Sequence, residues 1–204
     1  MAHTNPRQNR IDPWGRVVAT PERGTLHGNR GVLHDDQGRI VRHAQVRRWI
    51  ACELEYKGWR RHPLVQAGRY TELFFLDEVT ALAAGHRPCF LCRRSDALDF
   101  QQRWRTWQDV EGGPTADTMD RVLSEARRTT EQLMAVDLPQ GAMFAADDDA
   151  YAVWGGQALA WSFGGYGQAR PLDSFREVEA LTCAPVRAVL EGGYVPRIHP
   201  SGGG

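Results

Sequence analysis

Two short patterns carry most of the chemistry in this 204-residue chain. The first is Glu55-Tyr56-Lys57, which closes a strand expected over residues 48–56. Period-two spacing would set Glu55 and Lys57 side by side on one face, with Glu53 on the same face. Asp35 and Asp36 lie in the hairpin that precedes this strand, and Glu72, His34 and His86 are further ligands or bases. Carboxylates bind Mg²⁺ or Mn²⁺ through hard oxygens, and the metal activates water and stabilises charge on a phosphate. A lysine beside the glutamate can orient or deprotonate that water. Lys57 is the only lysine, beside 24 arginines. Arginine does not lose its proton, so a lysine at this point offers chemistry that arginine cannot. The second pattern is Cys89-Phe90-Leu91-Cys92, two thiolates spaced for one metal ion such as zinc. Arg93 and Arg94 beside it lower thiol pKa and can meet phosphate. Cys52 is the upstream thiol, and a further ligand would come from His62, His86 or Cys183. Two packed thiols without a metal are the alternative.

The net charge of zero conceals an asymmetry. Residues 1–110 hold 18 Lys and Arg against 12 Asp and Glu, whereas residues 111–204 hold 7 against 13. A basic half suits a polyanion. Arg30, Arg47, Arg48, Arg60, Arg61, Arg69, Arg87, Arg93 and Arg94 are the candidate phosphate contacts. His27, Asn29 and Arg30 in a glycine-rich loop can line a phosphate or base pocket, and Trp49, Trp59 and Tyr70 can stack on exposed bases.

Phe74-Phe75-Leu76-Asp77-Glu78-Val79-Thr80-Ala81-Leu82-Ala83-Ala84-Gly85-His86-Arg87-Pro88-Cys89-Phe90-Leu91-Cys92-Arg93-Arg94 resembles the second half of the Ada-type metal-binding domain of bacterial alkylation-repair proteins. The resemblance implies a zinc ribbon that touches DNA. The upstream Cys-x-x-x-Cys pair of that domain is missing here, which argues against methyl transfer to a cysteine. Acidic residues followed by Glu55-x-Lys57 are similar to the active site of the PD-(D/E)xK nucleases. Together these imply a DNA-binding repair factor, a metal-dependent nuclease acting on damaged strands, alkylated ones among them. The alternatives are a non-catalytic zinc-ribbon DNA-binding module and an RNA-directed factor.

The elements that must position these residues read as an α+β fold of short antiparallel strands, hairpins and a few helices. Strands are expected at 16–19, 48–56 and 70–76, with a hairpin of 32–34 and 39–41. Asp77 is the expected N-cap of a helix over 78–84 that stops at Gly85. Helices follow at 96–109 and 117–135, then strands over 142–163, a loop at 164–171, a helix at 184–190 and a last strand at 194–199. The basic region 1–110 and the acidic, β-rich region 111–204 are expected to pack as one globule. No stretch reaches the length of a membrane helix, no signal peptide opens the chain, and two of four cysteines sit as Cys-x-x-Cys, so a cytoplasmic protein is expected.

Overall fold

Strands in the first half are short because turn residues interrupt them every few positions. β1 (Gln8–Ile11), β2 (Val17–Ala19), β3 (Leu26–Asn29) and β4 (Ile50–Glu53) are followed by a small hairpin, β5 (Glu55–Tyr56) and β6 (Trp59–Arg60). β7 (Leu73–Phe75), helix α1 (Glu78–Ala83) and β8 (Arg87–Pro88) come next. The second half contains α2 (Arg94–Trp107), α3 (Ala116–Ala126), β9 (Glu131–Met134), β10 (Met143–Ala146), β11 (Asp149–Trp154), β12 (Gln157–Ser162), β13 (Gly165–Pro171), β14 (Glu177–Ala180) and α4 (Ala184–Glu191). The computed structural model describes residues 6–60, 62–108 and 113–203. No helix in it is long and apolar enough to cross a membrane.

The first sheet has the order β2-β1-β7-β3-β4-β8, with β1–β7 and β4–β8 parallel and its other pairings antiparallel. Its residues alternate strictly between two faces. Leu26, Ala51, Leu73 and Phe75 point into a buried cluster with Ile11, Leu33 and Ala81. Gly28 belongs to that face because a Cβ there would lie 2.4 Å from the Phe75 ring. His27, Cys52 and Phe74 are cross-strand partners on the opposite face. The second sheet, β13-β12-β11-β10-β14-β9, is wholly antiparallel. Phe144, Tyr151 and Val178 on one of its faces pack with Phe100, Trp104, Met119, Leu123, Val186 and Val189 of the helices.

Helix α1 joins the two sheets. Asp77 caps it, accepting from Thr80 N at 2.8 Å, and Gly85 follows it at φ +80°. Every one of its residues is buried, Glu78 and Thr80 included, because Arg93 pairs with Glu78 and Asp77 accepts from the Thr80 hydroxyl. Ala81 belongs to the first core, Leu82 to the second, and Val79 and Ala83 pack with Met143, Ala152 and Tyr166 between them. The chain therefore does not divide at residue 110, because α2 sits in the core of the second half.

Several expectations are corrected. The strand over 48–56 breaks at Leu54, and Lys57-Gly58 forms a two-residue turn with φ +52° and +74°, the geometry that matches hairpin twist. The 32–41 hairpin reduces to a single bridge, His34 with Ile40. The helix over 117–135 ends at Ala126, and residues 131–134 instead pair with β14 after β-branched Thr129 and Thr130. The loop at 164–171 is strand β13. Residues 194–199 form no strand, because side-chain carboxylates take their backbone donors: Glu78 accepts from Arg197 N and Asp77 from His199 N.

Two buried groups allow tests of this packing. Arg87 makes two bonds, 2.8 and 2.7 Å, to Asp120 of α3, with both side chains nearly inaccessible. Asp120→Ala strands a buried cation and is expected to cost about 3–5 kcal/mol in urea unfolding, whereas Arg87→Met with Asp120→Leu should recover most of it. His86 is fully buried, and burial, then the Arg30 and Arg127 charges, hold its pKa well below the ordinary 6.5. The unfolded chain takes up that proton first, so the stability linked to His86 is complete above pH 6.5 and falls as the pH drops below it. His86→Gln should flatten the acid limb of a stability–pH curve by up to about 1.4 kcal/mol per pH unit.

Candidate metal centre

The register of the first sheet brings three distant thiols together. β4 and β8 run parallel with Ala51 opposite Pro88, and Cys89 N donates to Ala51 O at 3.0 Å. That contact sets Cys89 beside Cys52. The chain then turns through Phe90 and Leu91, Arg93 N donates to Cys89 O, and Cys92 comes back toward the same point just before α2. The Sγ atoms of Cys52, Cys89 and Cys92 all lie within 4.8 Å of one another. A tetrahedral zinc with Zn–S near 2.3 Å would set its sulfurs about 3.8 Å apart, so a small contraction closes the site. These three cysteines are placed to hold a metal ion.

The three thiols share their protons unequally, with the Cys89 pKa lowered and those of Cys52 and Cys92 raised. The neighbouring Cys52 and Cys92 thiols, aided by the Leu91 N–H at 3.4 Å, hold the Cys89 pKa below its ordinary value. The Cys52 pKa is raised, chiefly because its thiol donates to Cys89. Among the described residues this is the only metal-capable grouping, and His86, His62 and Cys183 are not in it. His86 accepts from Arg30 Nε at 3.2 Å and packs against Trp49 and Phe75. Cys183 belongs to the core of the second half.

The thiols lie in the wall of a cavity of about 340 Å³. Ile50, His27, Asn29, Phe74 and Glu72 contribute the sheet side. Leu54, Tyr56, Trp59, Leu64, Tyr70 and Leu91 contribute the rest, with Glu53 beside Cys52. His27 reaches Tyr70 OH at 3.4 Å and Glu53 O at 3.3 Å. Glu72 is buried and accepts from Val65 N at 2.7 Å. Glu53 accepts from Arg197 Nη2 at 2.5 Å.

The expected carboxylate–lysine site is not assembled. Of Glu53, Glu55, Lys57, Glu72, Asp35 and Asp36, only Glu53 and Glu72 line the cavity. Glu55 pairs with Arg60 across its hairpin at 2.6 Å, and Lys57 sits in the turn with Nζ 5.5 Å from the Tyr56 ring centre. Asp35 folds onto its own turn, accepting from Gln37 N and Arg39 N and pairing with Arg39. The Arg39 backbone and side chain lower its pKa. Asp36 is exposed. No carboxylate grouping for Mg²⁺ or Mn²⁺ forms among the described residues.

Three of the nine candidate phosphate-binding arginines are interior. Arg30, Arg87 and Arg93 are buried, in contact with His86, Asp120 and Glu78 respectively. Arg47, Arg48, Arg69 and Arg94 are exposed, Arg60 is paired with Glu55, and Arg61 lies outside the described residues. Of the ring residues suggested for base stacking, Trp59 and Tyr70 line the cavity while Trp49 is buried behind the sheet. Tyr56 and Phe74 are cavity residues that no sequence pattern singled out.

Comparison with family models, with curated proteins and with solved structures returned no match. The resemblance to the Ada-type domain thus stands on residues 74–94 alone. Purified protein refolded with zinc is expected to hold one zinc ion per chain by elemental analysis. Cys52→Ser or Cys92→Ser should lose most of it, and His86→Gln should retain it.

Proposed function

We propose that this protein is a zinc enzyme whose tri-thiolate centre works on a small substrate inside the 340 Å³ cavity. The observation that carries this reading is a count combined with a position. Three thiols converge, and they do so on the wall of a cavity that Glu72 also lines. Structural zinc sites are closed by four protein ligands, whereas catalytic sites use three and leave one position for water or substrate. Zinc bound there would supply a water that ionises near neutral pH.

The residues around it have separable tasks. Glu53 follows Cys52 directly, and its carboxylate, bonded to Arg197 and close to Arg93, anchors the Cys52 segment. Glu72 stands on the sheet side, held by Val65 N. A carboxylate that does not bind the metal can take the proton from an activated water and return it to the leaving atom. Three thiolates with a separate glutamate is also the composition used by zinc sites that hydrolyse exocyclic amines. A ligand filling the apolar remainder of the cavity would exclude bulk water, which strengthens every charge interaction within it.

Damaged DNA stays the proposed setting, supported by the Ada-type segment and by exposed Arg47, Arg48, Arg69 and Arg94. Cleavage of phosphodiesters through Glu55 and Lys57 is not retained, since neither residue reaches the cavity. A DNA-binding module with a purely structural zinc is the second reading, and the missing ligand separates the two. Cobalt(II)-loaded protein should give the intense visible bands of a tetrahedral site, and X-ray absorption of the zinc form should give three sulfurs and one lighter atom. Cyanide should shift the cobalt bands. Four sulfur ligands, or a spectrum indifferent to cyanide, would sink the enzymatic reading.

A further inference from the structure

We infer that the cavity receives a nucleobase carried on a phosphorylated sugar, with the β5–β6 hairpin as the clamp that stacks on it. This rests on the reading of the cavity as a substrate site. Tyr56 and Trp59 are direct cross-strand partners, so their rings share one face of the hairpin, and both line the cavity. The Trp59 side of this pair is 58% exposed, a large apolar ring held at the mouth. Such a ring on a two-residue turn is an unusual use of a tryptophan, since burial is its default. Phe74 from the sheet also lines the cavity. Aromatic rings from the hairpin and from the sheet around one cavity suit a planar ring, and stacking of this kind tolerates any base.

The polar groups fit the rest of such a ligand. Asn29, from the sheet side, has its Oδ1 accepting from Gly31 N at 2.8 Å, which leaves its Nδ2 to donate to an acceptor on a base edge. Lys57 occupies the hairpin tip, with its ammonium 5.5 Å from the Tyr56 ring centre. A compact cation beside the stacking ring is where the phosphate of a nucleotide would emerge. Exposed Arg69, next in sequence to cavity residue Tyr70, is a further cation on the segment that lines the cavity. The lone lysine and the exposed tryptophan thus serve one hairpin with two tasks.

The test uses full-length zinc-loaded protein and calorimetric titration with the four 5′-mononucleotides, ribose 5-phosphate, single-stranded DNA with or without one abasic position, and a blunt duplex. Nucleotides or single strands should bind, ribose 5-phosphate and duplex should not, and the ratio of the first two shows whether the base arrives free or within a strand. Trp59→Ala, a surface change checked by an unaltered melting temperature, should weaken binding about tenfold. Lys57→Ala should weaken it less and reduce its salt dependence. Equal binding of ribose 5-phosphate, or unchanged affinity in Trp59→Ala, would overturn the inference. So would no binding of any base while cobalt still reports a tri-thiolate site with an open position, a result that leaves the metal reading standing. Loss of that spectrum marks failure of the metal reading instead.

Discussion

The Arg93 guanidinium is the contact on which both the joining of the two sheets and the shape of the metal centre depend. Its side chain has no solvent exposure and bonds Glu78 at 2.6 Å and Asp96 at 2.6 Å, with Glu53 at 3.7 Å. Burial alone would lower its pKa, but the charge and hydrogen bond of Glu78, then Tyr194 and the hydrogen bond of Asp96, turn the net shift upward. The position in the chain matters as much as the energy. Arg93 follows Cys92, and Glu53 follows Cys52, so one ion pair draws two thiol-bearing segments toward each other. Glu78 passes the constraint on, accepting from Tyr194 OH at 2.6 Å and Arg197 N at 3.0 Å. A buried network of this kind is stabilising only when complete, because each lost partner leaves an uncompensated charge.

A second cluster explains why a basic sequence segment is not a uniformly basic surface. Trp49 carries two guanidinium groups, Arg30 at 3.9 Å and Arg127 at 4.1 Å from its ring centre. Arg30 also donates to Gly15 O at 2.8 Å, and Arg127 to Gly85 O and Arg47 O. Burial pushes Arg30 down to about 9 and Arg127 down to about 10. Repulsion between the two adds to the Arg30 shift. The aromatic face and backbone carbonyls take the place of carboxylates here. These cations tie the glycine loop after α1 to α3 and to the turn after β1, and are spent on packing rather than on phosphate.

How much of this was legible depends on whether the deciding contact was local. The α+β class, the Asp77 cap, the Gly85 stop and the strands within residues 142–163 follow from neighbouring residues, and the structure has them. Cys89 and Cys92 were visible by spacing, and Cys52 as the one upstream thiol. Their convergence was not, because it rests on a parallel pairing between strands separated by the whole of residues 54–86. The Glu55–Lys57 expectation failed on a local detail, since Lys57-Gly58 prefers a tight turn to two more strand positions. Arginines could be counted but not placed. Whether Arg87 meets phosphate or Asp120 is settled by α3, more than 30 residues away. Residues 194–199 alternate like a strand, yet they dock on carboxylates of α1.

The two-faced character of the first sheet ties these points together. A strand has to send alternate side chains to opposite sides. Ala51 and Phe75 point toward α1 and the core, so Cys52 and Phe74 must point away from it. Among the described residues no helix covers that second face; Leu54, the β5–β6 hairpin, Leu64 and Tyr70 lie over it and leave a cavity. Had Cys52 stood one position earlier, its thiol would lie in the apolar core beside Phe75, out of reach of Cys89 and Cys92. An odd or even position on one short strand therefore decides whether three cysteines are inert packing or a metal site open to a ligand.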